Sequence, residues 1–71
     1  MKSIGYSEIL DLPFGTNLVV HIKMDVPYKR DETYNAVIVR DKIYYEDGKV
    51  DDIRTISEYI YNGVTEVFIK A

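Results

Sequence analysis

The 71 residues are enough for one domain and no more, and a domain this small buries only about 60% of the surface that its unfolded chain exposes. The chain has no Cys and a single imidazole, His21, which excludes disulfides, thiolate metal sites and a tetrahedral zinc cage as sources of extra stability and leaves a partner chain as the remaining one. Twelve carboxylates against nine Lys and Arg give a net charge of −3, which lacks the basic excess of a dedicated nucleic-acid binder and gives no attraction to an anionic membrane.

Met1-Lys2-Ser3 leads into Gly5, Tyr6 and Glu8 in place of an apolar stretch, so no signal peptide is read there, and Met1 is taken as the start of a complete small gene. Without a cysteine framework the expected location is the cytoplasm. Ser7 suits the cap of a single helical turn that reaches Leu12 and stops at Pro13, whereas Ile4, Tyr6, Leu10 and Leu12 suit an irregular edge strand. The residues leave both open.

Strict alternation follows. Leu18, Val20, Ile22, Met24 and Val26 fall on one face, with Val19, His21, Lys23 and Asp25 on the other, which predicts a strand over 18–26 with one buried face. Pro13, Gly15 and Asn17 punctuate its approach, and Pro27 ends it for want of an N–H to give the ladder. The run 18–24 is also too short, and too interrupted by His21 and Lys23, to span a bilayer. Residues 27–33, with Lys29-Arg30-Asp31-Glu32 at their centre, read as an exposed loop. The second strand, 34–40, carries apolar residues on both faces, which predicts a place inside the sheet with both sides covered. Ile43-Tyr44-Tyr45 reads as a short third strand beyond a tight turn at Asp41-Lys42, and Asp47-Gly48 is a further turn signal.

Asp51 or Asp52 can cap a helix over about 52–62, in which Ile53, Ile56 and Ile60 form a narrow apolar stripe and Gly63 is the natural left-handed stop. A final strand over 64–70 puts Thr65, Val67 and Ile69 on one face and Glu66, Phe68 and Lys70 on the other. The assembled expectation is an α+β domain, 1–71: a small twisted antiparallel sheet of three to four strands with one helix packed on one face. The second choice is a small SH3-like β-barrel, since the approach Leu12-Pro13-Phe14-Gly15-Thr16-Asn17-Leu18 loosely resembles the start of such barrels. Seven common residue types assign no family.

Candidate chemistry is sparse. His21 sits mid-strand with no sequence mark of a hydroxyl partner, so surface or cross-strand pairing is its expected role. Glu46, Asp47, Asp51 and Asp52 are the kind of carboxylate group that hard cations want, but the spacing is not that of an EF-hand, Lys49 lies among them, and turn and cap roles account for each. The four glycines match no phosphate-binding loop. A chain of this length is expected to lack room for a cleft of the usual ligand volume, about 300 Å³ or more. No catalytic residue, metal or cofactor is therefore assigned.

Seven tyrosines and no Trp are the one compositional oddity. Tyr44 and Tyr45, adjacent on a strand, must face opposite ways, and of Tyr59 and Tyr61 beside Ile60 at least one must leave the core stripe. Exposed tyrosine points to a protein interface, with Tyr28, Tyr34, Tyr44, Tyr59 and Tyr61, together with Glu46, Asp47, Asp51 and Asp52, as its candidate residues. The expected function is a non-enzymatic protein-binding module: a small accessory, regulatory or inhibitory chain. Short acidic chains rich in Tyr and Ile resemble the small accessory proteins of phages and mobile elements, some of which block host enzymes. An acidic row from Glu46 to Asp52 with Glu58 would let such a chain mimic phosphates. The alternative is a nucleic-acid-binding β domain that uses Lys23, Lys29, Arg30, Arg40 and Lys42 with Tyr28 and Tyr34. Asp25, Asp31, Glu32 and Asp41 interleave with those cations and cancel most of their field. Homodimerisation is expected through a sheet edge left open by 18–24 or by the last strand.

Overall fold

The computed structural model describes residues 2–70. In chain order it contains β1 (Lys2–Ile4), a 3-10 turn (Glu8–Asp11), β2 (Asn17–Met24), β3 (Arg30–Val39), β4 (Lys42–Tyr45), β5 (Val50–Asp52), α1 (Ile53–Tyr61) and β6 (Thr65–Ile69). The strands form one antiparallel sheet in the order β1-β6-β2-β3-β4-β5. The class is α+β, as the patterning implies, but the sheet has six strands in place of three or four. The two extra ones, β1 and β5, are three residues each, too short for a period of two to register. The N-terminal segment is both of the things its residues allow, an edge strand followed by a helical turn, although Ser7 makes no side-chain cap.

The alternation of β2 does what it predicts. Leu18, Val20 and Ile22 are buried, and they share one core with Ala36, Ile38, Ile43, Tyr45, Val67, Ile4, Ile9 and the helix residues Ile53 and Ile56. The strand ends two residues sooner than expected, and Val26 is 82% exposed. The loop beyond it shrinks to 25–29, because Arg30, Asp31, Glu32 and Thr33 pair with Met24, Lys23, Ile22 and His21. Their polarity suits a loop, yet it also suits a ladder end where Lys23 lies directly opposite Asp31. Strand β3 is internal, but only one side of it is covered. Val37 and Val39 are half-buried on the opposite face, where Val19 and Phe68 cross neighbouring strands beside them.

Strands β2 to β5 form a meander, and α1 then carries the chain across the inner face so that β6 pairs with the far side of β2. Among the described residues β1 and β5 pair with one neighbour each, so the sheet stays open and does not close into the barrel held as second choice. Strand β2 and the last strand are both internal, which removes them as the open edge of a homodimer. The edges are β1 and β5.

The helix is bounded by two caps. Asp52, not Asp51, is the N-cap, and its Oδ1 accepts from the Arg54 N–H at 2.9 Å. At the other end Gly63 lies at φ 77°, and the N–H groups of Gly63 and Val64 donate to the carbonyls of Ile60 and Tyr59. That paired arrangement satisfies two otherwise free carbonyls and needs a left-handed residue, which glycine supplies without a Cβ clash. Arg40 in the two-residue turn between β3 and β4 lies at φ 59° with no such freedom.

Two outcomes follow for stability. Ile56, fully buried on α1, should lose roughly 2–5 kcal/mol on Ile56→Ala, about the whole margin of a small domain; urea unfolding should find the variant largely unfolded in buffer. Arg40→Gly should raise the urea midpoint, by about 1 kcal/mol of relieved backbone strain, and a lowered midpoint would show that the Arg40 side chain stabilises the turn.

Candidate functional site

Two polar arrangements stand out above the core. The first lies on the uncovered face of the sheet. His21 is paired across the ladders with Thr33 on β3 and Glu66 on β6, and its Nε2 lies 2.7 Å from Asp31 Oδ1 and its Nδ1 3.3 Å from Glu66 Oε1. The hydrogen bond to Asp31 dominates and raises the imidazole above its ordinary range, with Glu66 adding to it; His21 in turn holds the Asp31 carboxyl down. The two carboxylates take different ring nitrogens, so they grip an imidazolium and do not converge on a common point. Among the described residues no three His, Cys, Asp or Glu side chains are placed to hold a metal ion.

The second arrangement is a cleft of about 310 Å³ on the helix side of the sheet, lined by Ile22, Arg30, Tyr34, Tyr45, Asp47, Lys49, Val50, Asp51 and Tyr59. The expectation that so short a chain has no room for such a space fails here. The cleft reaches the lower end of ordinary ligand volumes. Its walls come from the outer end of β3, from β4 and β5, and from the last turn of α1. Tyr34 and Tyr45 meet edge to face with ring centroids 5.5 Å apart. Tyr34 donates its hydroxyl to Glu32 Oε2 at 2.6 Å, and Arg30 Nε donates to the other oxygen of the same carboxylate. Those two donors hold Glu32 below the usual carboxylate range, Tyr34 contributing most. The Tyr45 hydroxyl is buried, and among the described residues it has no partner at ordinary hydrogen-bond geometry. Burial drives its phenol far above the ordinary range, and the Asp51 carboxylate, with which it interacts, adds to the shift. A larger and shallower hollow of about 540 Å³ lies near the start of α1 between Leu10, Arg40, Asp41, Asp52, Ile53 and Arg54; it has no aromatic wall and charges of both signs.

The residues singled out from sequence scatter between these places. Tyr34, Tyr59, Asp47 and Asp51 come together in the cleft, where Tyr34 and Tyr59 are half-buried. Tyr28, Tyr44 and Tyr61 are exposed, but on the 25–29 loop, the uncovered sheet face and the helix end respectively. Tyr44 and Tyr45 do face opposite ways. Glu46 is held by the Asn35 backbone N–H and side-chain amide, both at 3.2 Å, and Asp52 accepts from Lys42 at 3.0 Å while capping α1. The acidic residues from 46 to 52 therefore face several directions and form no row. The basic set divides too. Lys23, Lys29 and Arg30 lie at one end of the first hairpin, while Arg40 and Lys42 lie at the other end of β3, a strand of ten residues that spans roughly 30 Å.

Sequence reasoning missed Tyr45 as a cleft residue and Tyr6 as a surface one. Tyr6 stacks edge to face on Tyr61 at 5.0 Å, and its carbonyl accepts from Ser57 Oγ at 2.6 Å, which fastens the N-terminal segment to α1. No local signal foretells a contact spanning 51 residues.

The His21 arrangement makes a pH signature. A histidine raised above its ordinary value near 6.5 contributes stability that is fully present below that pH and is lost as pH rises through the higher folded value. Asp31, held down, contributes above its ordinary value near 3.8 and loses that contribution as pH falls through the folded one. Thermal melts from pH 6 to 8 should show a falling midpoint that His21→Gln flattens, since no other side chain here ordinarily titrates in that range. Parallel slopes in the two proteins would remove the pairing. Comparison with family models, with curated proteins and with solved structures finds no match to this chain.

Proposed function

We propose that this protein is a non-enzymatic protein-binding module, a small accessory or regulatory chain that acts by occupying a partner. The observation that supports this most is where the cleft opens. Val50 and Asp51 of β5 form one of its walls, and β5 is an edge strand with β4 as its neighbour. An extended segment added to such an edge gains main-chain hydrogen bonds, while a pocket beside it selects one of the incoming side chains. The edge is also open in the required sense. The Tyr45 N–H donates to the Lys49 carbonyl at 2.9 Å, which makes 45 and 49 a bonded pair, and the alternation of an antiparallel ladder then turns the Val50 amide away from β4. Val50 itself is 45% exposed. Half-buried tyrosines at the cleft and exposed ones around it supply the amphipathic area typical of interfaces.

Val50→Pro tests the reading without removing a ladder bond of the native sheet. Captured from host lysate by a tagged full chain, the specific partner should be retained roughly fivefold less well by this variant, the loss of the one hydrogen bond of about 1 kcal/mol that the Val50 amide donates. Phe14→Ser, on the exposed approach to β2, should capture normally. Wild-type retention by Val50→Pro, or capture that disappears on nuclease treatment, would overturn the proposal.

A further inference from the structure

Each charge that lines the cleft has an opposite partner except one. Arg30 pairs with Glu32. Lys49 lies 4.0 Å from Asp47, with its side chain largely in solvent at the mouth. Asp51 lines the same cleft, and among the described residues no Lys, Arg or His nitrogen lies within salt-bridge distance of its carboxylate. It projects from β5 on the side of Ile43, its cross-strand partner and a core residue, and it is half-buried. Beside it is the buried hydroxyl of Tyr45, a residue 8% exposed, which interacts with the Asp51 carboxylate. Tyr45 lines the same cleft, together with Arg30 and Tyr34.

We infer that the cleft is a receptor for an organic cation carried on an aliphatic stem, the ammonium of a lysine or the guanidinium of an arginine from the bound partner. Three observations converge on that class. Asp51 supplies a negative charge that no Lys, Arg or His among the described residues neutralises within salt-bridge distance. Tyr34, Tyr45 and Tyr59 supply aromatic walls, whose π-electrons attract cations more strongly as water is excluded. Ile22 and Val50 supply the apolar lining that an aliphatic stem covers while its charged head stays at the polar end. An anion would meet the charge of Asp51, while Arg30 and Lys49 are already engaged by Glu32 and Asp47. A neutral side chain would bury that carboxylate without a partner, which costs more than it gains. At about 310 Å³ the space suits one long side chain better than a drug-sized molecule.

This assignment rests on the protein-binding reading only for the origin of the side chain. It is tested by titrating the isotope-labelled full chain with Nα-acetyl-lysine amide, Nα-acetyl-arginine amide and the neutral Nα-acetyl-norleucine amide, following backbone amide shifts. At least one cation should shift the amides of Tyr45, Lys49 and Asp51 saturably, with the norleucine compound roughly tenfold weaker. Asp51→Asn, nearly isosteric, should lower the cation to the norleucine level while the remaining spectrum and the melting curve stay as in wild type. Tyr59→Leu should weaken both cations and keep the preference for charge. Equal binding of the norleucine compound, shifts centred on other carboxylates such as Glu8 and Asp11, or no saturable shift from either cation would overturn the inference. If the cations bind but Val50→Pro does not affect capture, the cleft assignment stands and the edge-docking reading falls. If capture depends on Val50 but is indifferent to Asp51→Asn, the reverse holds.

Discussion

The structure depends on one act of burial: a single helix laid across the inner face of a sheet whose central strand offers Leu18, Val20 and Ile22 in register. Strand β2 is hydrogen-bonded on both sides, to β3 and β6, and its inward residues belong to the same core as Ile53 and Ile56 of α1. Deleting that layer would leave a lone sheet with no side shielded from water, which is not independently stable at this size. The caps at Asp52 and Gly63 matter for the same reason. They fix where the helix begins and ends, and hence which isoleucines meet the sheet.

The dimensions of that layer explain the cleft. Nine helical residues extend about 13 Å, and α1 connects β5 on one side of the sheet to β6 toward the other, so it runs across the strands. The ten residues of β3 run about 30 Å. A helix crossing a strand covers it only over its own width, about 10–12 Å, and the end left over is where Arg30, Glu32 and Tyr34 stand. Polar side chains on an inward face are tolerated there because the helix has run out and water, or a ligand, can reach them. The Arg30–Glu32–Tyr34 group is thus the means by which the sheet ends its core.

The uncovered face is organised differently. Val19, Val37, Val39 and Phe68 shield one another across strands to about half-burial, and farther along the sheet the surface becomes polar, with His21 held between Asp31 and Glu66. Apolar residues on both sides of β3 therefore do not require two covering layers. A row of β-branched and aromatic neighbours on one exposed face satisfies the same pattern.

What the sequence by itself determined is local. The alternation of β2, the turn at Asp47-Gly48, the isoleucine stripe and the glycine stop of the helix all follow from the stereochemistry of a few adjacent residues, and so does the opposed facing of Tyr44 and Tyr45. The turn after β3 instead falls on Arg40 and Asp41, one residue ahead of the expected Asp41-Lys42. What only the tertiary structure decided is which distant groups meet. Three-residue strands such as β1 and β5 gain their ladders from neighbours and not from their own pattern. Arg30 to Thr33 become strand because His21 to Met24 lie opposite them, and Asp51 becomes a cleft residue, not a cap, because the β4–β5 ladder turns it inward. The space between Tyr34, Tyr45 and Tyr59 exists because a helix laid across the sheet covers only its own width of a ten-residue strand, a relation of distant elements that no window of sequence contains.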